Sequence, residues 1–482
     1  MPFFEIINSV NIYKSLLFIV AVLFLLGIIS SVFPRDGVTL GNKQLYFPTV
    51  EDMLTKEAGH STTASQRMKE MEESLRMKQY QDSLYQDSLS FYTTFFQNHA
   101  SRIHLPDNQW DYFDDLFAEL DTCQQAGKIV HILHYGDSQI EGDRITGYLR
   151  QKLQEKFGGN GPGLLPAVQP IPSSAVGQDF SGNIERFIVA GTLKNSAAHR
   201  RYGALGQVGM LSGNAMISVH ARDWKVTFDN AKEFQKIRLF VGKPSENFQA
   251  NLSNKKLSAP KAVRRNLPAV SVFSWNFNTP VQSFSLQLSG ASEIYGIAVD
   301  GKSGVAVDNV PFRGSSGTFF STTDAELMSS MLKELNVGLV MLEFGGNITP
   351  VVHSDKQIAQ YKKTMSEQIV FFKKCNPKTK IIFIGPADMS TKIKGQLQTY
   401  PYLEQTIEAL KQAALENGVA FWDMYEVMGG RNSMIDWVRN SPALAAKDYI
   451  HFSEKGAARI SELFFESLMM YYDYYLFEKS QP

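Results

Sequence analysis

Along this chain the period of the apolar positions changes repeatedly, and each change predicts a different kind of structure. Residues 15–33 form an uncharged, mostly apolar run, just long enough to cross a bilayer as a helix and bracketed by Lys14 and Arg35. From Pro34 to about Pro106 the composition turns polar, with Thr, Ser, Gln and Glu frequent. Within it Met68, Met71 and Leu75 keep helical spacing, and Tyr80–Leu84 is repeated at once as Tyr85–Leu89, so a partly helical, solvated stalk is expected. From Asp107 the pattern becomes globular. Trp110, Phe113, Phe117 and Leu120 fall on one helix face that Gly127 ends; Ile129–Tyr135 reads as a buried strand, and Ile145, Tyr148, Leu149 and Leu153 mark the next helix.

Between about residues 181 and 300 the period drops to two. The runs Met216–His220, Lys236–Val241 and Phe284–Leu288 alternate between Gly, Asn and Pro turns and predict antiparallel β structure, most simply a sandwich. Strand-helix alternation then resumes. Val337–Phe344, Lys380–Ile384 and Val419–Trp422 are apolar strand candidates, separated by helices carrying Ile358, Tyr361 and Met365 or Leu403, Ile407 and Leu410. The expected fold class is α/β: a doubly wound parallel sheet interrupted by an antiparallel β-sandwich and preceded by a transmembrane helix. In residues this gives an anchor over 1–35, a stalk over 36–106, a first catalytic part over 107–180, a β insertion over 181–300 and a second catalytic part over 301–482.

Charge narrows the partners. With 48 basic and 48 acidic residues the formal net charge is zero, which gives no electrostatic basis for binding nucleic acid or an acidic membrane surface. Cys123 and Cys375 are the only cysteines, too few for a structural zinc site, and are expected as buried free thiols. No metal-ligand cluster stands out, and no cofactor is expected. The run at 158–163, Gly-Gly-Asn-Gly-Pro-Gly, is not followed by Gly-Lys-Ser/Thr and trails a helix instead of opening one, so it reads as a turn at the rim of the site, not a phosphate loop. A cleaved signal peptide competes with the anchor, but its apolar region is usually shorter and its leading flank basic, whereas residues 1–14 hold only Glu5 and Lys14 as charges.

Candidate chemistry lies in three short pieces: Gly136-Asp137-Ser138, Gly345-Gly346-Asn347 and Asp448-Tyr449-Ile450-His451. A serine hydroxyl is a poor nucleophile until an imidazole takes its proton and a third group fixes that imidazole's tautomer. Ser138 follows a strand, where open α/β sheets place their ligands. His451 and Asp448 supply the base and its orienter on a loop before a helix with Ile460, Leu463, Phe464 and Leu468 on its apolar face and Ser453 as N-cap. Other candidates read as structural: His131 and His134 in the strand, His353 at the rim, and Asp137 as an acceptor that shapes the loop.

In these motifs and their order the chain resembles the SGNH (GDSL-type) hydrolase superfamily. The resemblance covers roughly 107–180 and 300–478 and assigns Ser138 as nucleophile, Asp448 and His451 as its relay, Gly314 as the block-two glycine and Asn347 as the block-three asparagine. It implies an oxyanion hole made by the backbone N–H groups of Ser138 and Gly314 and the side-chain amide of Asn347. Gln139, where the family pattern has leucine, and Ile348, where many members have aspartate, depart from it. A β-sandwich inside such a domain is similar to bacterial peptidoglycan O-acetylesterases; Trp224, Phe273, Trp275 and Phe277 would stack on sugars if exposed. The implied function is a serine esterase removing acyl groups, acetyl first, from a cell-envelope glycan. It would be held by its single span with the catalytic part outward, at the periplasm or cell surface. The rivals are a polysaccharide O-acetyltransferase using the same site and a non-catalytic glycan-binding scaffold.

Overall fold

The computed structural model describes residues 12–32, 38–40, 43–45, 85–224 and 228–480, and the chain divides into two units, 1–89 and 90–482. In the first, Ile12–Val32 is a helix with Leu17, Phe18, Phe24 and Val32 exposed, and Val38–Leu40 pairs antiparallel with Lys43–Leu45. Among the described residues no helix is long and apolar enough to cross a membrane. The expected span is therefore not shown, although the segment is helical. Met68, Met71 and Leu75 of the expected stalk helix lie outside the described residues.

In the second unit a six-stranded sheet runs in the order Gly304–Pro311, Ile129–Gly136, Val337–Glu343, Lys380–Ile384, Ala420–Trp422, Ile103–His104. All are parallel except the last, which pairs antiparallel with Ala420–Trp422. Its long strands are buried on both faces, as a parallel sheet covered by helices must be. Alternate residues serve opposite cores. Leu133, Tyr135, Val340 and Leu342 pack under the helices Ala325–Leu335, Asp355–Cys375 and Leu403–Glu416. Val130, Ile132, Leu339 and Met341 pack under Asp114–Cys123, Thr146–Phe157 and Glu454–Lys479. Each fully buried Leu or Ile contributes about 1.5–3 kcal/mol. The chain leaves Ile129–Gly136 toward one neighbour and later returns on its other side, so the loops after Ile129–Gly136 and Val337–Glu343 face each other across a topological switch point.

Two boundaries shift. The globular unit begins before Asp107, because Ile103–His104 joins the sheet and the helix over 85–98 packs Phe96 on Tyr471, ring centroids 4.3 Å apart. The insertion begins before 181, because Gly163–Leu165 and Val176–Ile188 already belong to its sheet. Polar residues on the outer face of the second strand hid it from a hydrophobicity pattern.

The insertion is one continuous nine-stranded sheet, not two separate sheets. The long strand Gln207–Ala221 pairs with Ser283–Ser289 through one half and with Ala291–Asp300 through the other. The sheet thereby folds back over a shared core, in which Phe234 and Phe284, from strands that are not neighbours, lie 5.8 Å apart. Phe273, Trp275 and Phe277 fill that core, leaving Trp224 as the exposed member of the expected sugar-stacking set, under the Arg222 guanidinium at 4.0 Å.

The glycine loop is not at the rim. Gly159 and Gly161 have positive φ, and a Cβ on either would come within 2.3 Å of the Val305 or Val299 carbonyl, so glycine is required where this loop lies against the two sheets' backbones. Cys123 and Cys375 are buried free thiols, as expected.

A buried charge cluster also joins the sheets. His131 Nδ1 bonds Asp308 at 2.8 Å, and its Nε2 lies 2.8 Å from Arg238, which donates to Asp300 at 2.9 Å. Against the effect of burial, Asp308 and Asp300 favour the charged imidazole and raise its pKa, whereas the Arg238 guanidinium at Nε2 favours the neutral ring. His131→Ala should cost about 3–5 kcal/mol, because it leaves Asp308 buried with one polar partner fewer. A urea midpoint unchanged from wild type would show that His131 does not hold the cluster together.

Candidate active site

The strand Ile129–Gly136 is fully buried and ends at Gly136, where a Cβ would meet Ile140 at 3.0 Å and the Glu343 carbonyl at 3.3 Å. Such close packing turns the chain sharply and puts Ser138 just beyond the sheet's carboxyl edge. Asp137 holds the turn by accepting the Gln139 N–H at 2.9 Å.

His451 arrives from the other end of the chain. Ser453 caps the helix Glu454–Lys479 by accepting the Gly456 N–H at 3.2 Å, the N-cap role read from its sequence position. Before it, the Ala446 N–H donates to the His451 carbonyl at 2.8 Å, and Tyr449 takes the left-handed region at φ 58°. The tight loop aims the ring at Ser138: Oγ to Nε2 is 2.9 Å, and His451 Nδ1 to Asp448 Oδ2 is 2.7 Å. Asp448 Oδ1 also accepts the N–H groups of Ile450 and His451, at 3.0 and 3.1 Å. Partial burial would raise the Asp448 pKa, but these hydrogen bonds and the His451 ring hold it below the usual carboxylate value.

Gln139, a departure from the family pattern, ties the two loops together. Its Nε2 donates to the Ile450 carbonyl at 2.6 Å, and its Oε1 accepts the Phe452 N–H at 3.3 Å. The residues on both sides of His451 are thus fixed to the residue after Ser138. Leucine could make neither bond.

Ser138, Asn347 and His451 line one cleft of about 700 Å³. Asn347 Nδ2 donates to Asp137 Oδ2 at 2.7 Å and to the Ser315 carbonyl at 3.2 Å. Gly314 and His353 are not among the lining residues, and His353 is exposed. Ile348 is half-buried against the core. His131 and His134 are fully buried in polar pairs; His134 bonds Glu343 at 3.0 Å and Thr146 at 3.0 Å.

The cleft also holds buried carboxylates that the motifs did not single out as its lining: Asp137, Glu343 and Asp388. Burial and the neighbouring Glu343 push Asp137 up to about 7, against the pull of its bonds from Gln139 and Asn347. Among the described residues one Glu343 oxygen is buried without a partner. Its sequence signal was a lone acid within the apolar run Val337–Phe344, one residue before its end. Asp388 accepts from Thr399 and from the Met434 N–H, each at 2.8 Å, and had no such signal.

His104, Asp423 and Glu426 place possible metal-ligand atoms within 4.8 Å of one another, a grouping the sequence reading did not find. Cations already serve both acids, with Lys411 at 3.1 Å from Asp423 and Arg102 at 3.5 Å from Glu426. Burial, then Lys411 and Arg102, push His104 down to about 3.

No protein-family model and no curated protein matches the chain. Among solved structures, one of a peptidoglycan O-acetylesterase is similar at 20% identity and a TM-score of 0.59, over 74% of this chain and 95% of that one. An acetyl xylan esterase matches at 14% identity over 34% of this chain and 81% of its own, with a TM-score of 0.27. A carbohydrate acetylesterase from Sinorhizobium meliloti matches at 16% identity over 34% of this chain and 78% of its own, with a TM-score of 0.25. The first likeness spans both the α/β sheet and the insertion in extent, and it establishes the fold.

Proposed function

We propose that this chain is an SGNH-type serine esterase that removes acyl groups, acetyl in particular, from a cell-envelope glycan. The observation that carries the proposal is the continuous hydrogen-bond chain from Ser138 Oγ through both His451 nitrogens to Asp448 at the carboxyl edge of the sheet. Ser138 attacks the ester carbonyl while His451 Nε2 takes its proton; Asp448 holds the Nδ1–H tautomer and stabilises the imidazolium that forms. Collapse of the tetrahedral intermediate returns that proton to the leaving sugar oxygen. Water activated by His451 then releases the acid from Ser138. The backbone N–H of Ser138 stabilises the oxyanion, joined by Asn347 Nδ2 when it exchanges its longer bond, to Ser315, for the developing charge; Gly314 is proposed as the further backbone donor on motif order alone.

The uncharged apolar run 15–33 of the sequence is the basis on which we place a single-pass anchor there, with the site outside the cytoplasmic membrane. The test is hydrolysis of p-nitrophenyl acetate and of an O-acetylated wall glycan by the full chain in detergent. Acetate release from both supports the reading, acetyl appearing on an added sugar acceptor would make the chain a transferase, and no turnover of either would leave a binding scaffold.

On this mechanism Gln139 is a positioning residue. Gln139→Leu should lower kcat roughly 10- to 10²-fold with KM and melting temperature little changed, since misplacing a base by about 1 Å has that effect. Gln139→Glu keeps the acceptor for Phe452 but loses the donor to Ile450, and should fall between. A matched loss of melting temperature and folded protein would mark Gln139 as structural only.

A further inference from the structure

Beside the catalytic cleft, along the same edge of the sheet, a second, open cavity lies where the sheet meets the insertion. One wall is Glu141 and Gly142, from the loop after Ser138, with Asn309 to Arg313 at the end of the strand Gly304–Pro311. Pro311 is in register with Gly136, so this wall and the nucleophile turn end at the same level of the sheet. The facing wall comes from the insertion and includes Arg186 and Gln207.

The charges in this cavity do not balance. Glu141 is buried and already saturated: Arg313 Nε lies 2.8 and 3.0 Å from its two oxygens, and a further Arg313 nitrogen also donates to it. Arg186 differs. Its Nε donates to the neutral Gln207 Oε1 at 2.8 Å, and among the described residues no carboxylate pairs with its guanidinium. It is half-buried, and burial lowers its pKa with no acid to counter the effect. A cation taken partly out of water without an anion is unfavourable, and a bound anion relieves it. The planar guanidinium matches a carboxylate through paired N–H donors.

We propose that this cavity is a carboxylate subsite, in which Arg186 holds the acid group of one sugar while a neighbouring sugar of the same glycan presents its ester to Ser138. The second half of that statement rests on the esterase reading above; the first stands on the cavity. The insertion thus contributes to substrate choice by supplying the cation, a role distinct from stacking on aromatic rings.

Calorimetric titration tests it on the full chain carrying Ser138→Ala, with the disaccharide N-acetylglucosaminyl-N-acetylmuramic acid and its methyl ester as probes. The acid should bind roughly tenfold or more tightly than the ester, the scale of one charged hydrogen-bonded pair. Arg186→Gln should abolish that preference, and Arg186→Lys, which keeps the charge without the planar fork, should retain part of it. Equal binding of acid and ester, binding of neither, or a preference that survives in a folded Arg186→Gln protein would overturn the subsite. Equal binding measured before Arg186 is altered already overturns the subsite, and Arg186→Lys, the more conservative variant, keeps the assignment to Arg186 testable should Arg186→Gln fail to fold. Turnover of p-nitrophenyl acetate by the chain with Ser138 intact separates the two readings. Turnover without acid preference removes the subsite alone, and acid preference without turnover removes the esterase alone.

Discussion

Ser138→Ala should lower kcat for acetate-ester hydrolysis roughly 10⁴- to 10⁶-fold, the scale seen when the nucleophile of such a constellation is removed. The reason is local. Among the described residues lining the cleft, Ser138 is the hydroxyl bonded to an imidazole, and the lining residues include no cysteine or lysine to take over the attack. Among the described residues its side chain makes that one hydrogen bond, while the turn around it is held by the Asp137 bond to Gln139 and by Arg144, which donates to the Ser138 carbonyl. Removing a hydroxyl from such a position should leave the turn and the melting temperature intact. Initial rates on p-nitrophenyl acetate, normalised to folded protein, check it; a loss below tenfold would place the nucleophile elsewhere.

His451→Ala should approach the same loss and add little to it in the double variant, because members of a catalytic unit fail together. His451 Nε2 is the proton acceptor for Ser138, and without it the hydroxyl is a poor nucleophile at neutral pH. Asp448→Ala should be less severe, since it leaves a base without its orienter. His353→Ala supplies the contrast, being exposed and outside the cleft lining, and should keep most activity. The four single variants and the double variant, measured in one buffer, give the comparison. Multiplicative losses for Ser138 and His451, or a larger loss for His353, would break the assignment.

Much of this was legible from spacing alone. Strands buried on both faces are continuous apolar runs, so Lys380–Ile384 is found where its pattern placed it, and Val337–Glu343 to within one residue. Ser138, His451 and Asp448 were legible because each follows or precedes a recognisable element, and a strand end and a capped helix fix where a loop points. The start of the insertion was not, because the middle of Val176–Ile188 is polar and solvent-facing and its pairing is with a strand some thirty residues later. Long-range contacts were the least legible. Gln139 reads as a mere departure from leucine until its side chain is seen bonded to residues more than 300 positions away. Arg186 carries no motif, since its meaning lies in the acid it lacks. Gly314 remains an assignment from motif order, as the cleft lining does not include it.

The most direct test of the central claim is covalent. The full chain treated with a fluorophosphonate, digested and analysed by mass spectrometry should carry one adduct, on the peptide containing Ser138, and the His451→Ala protein should label far more slowly. An adduct on another residue, or no adduct on a folded chain, would contradict the assignment of Ser138 as a nucleophile activated by His451.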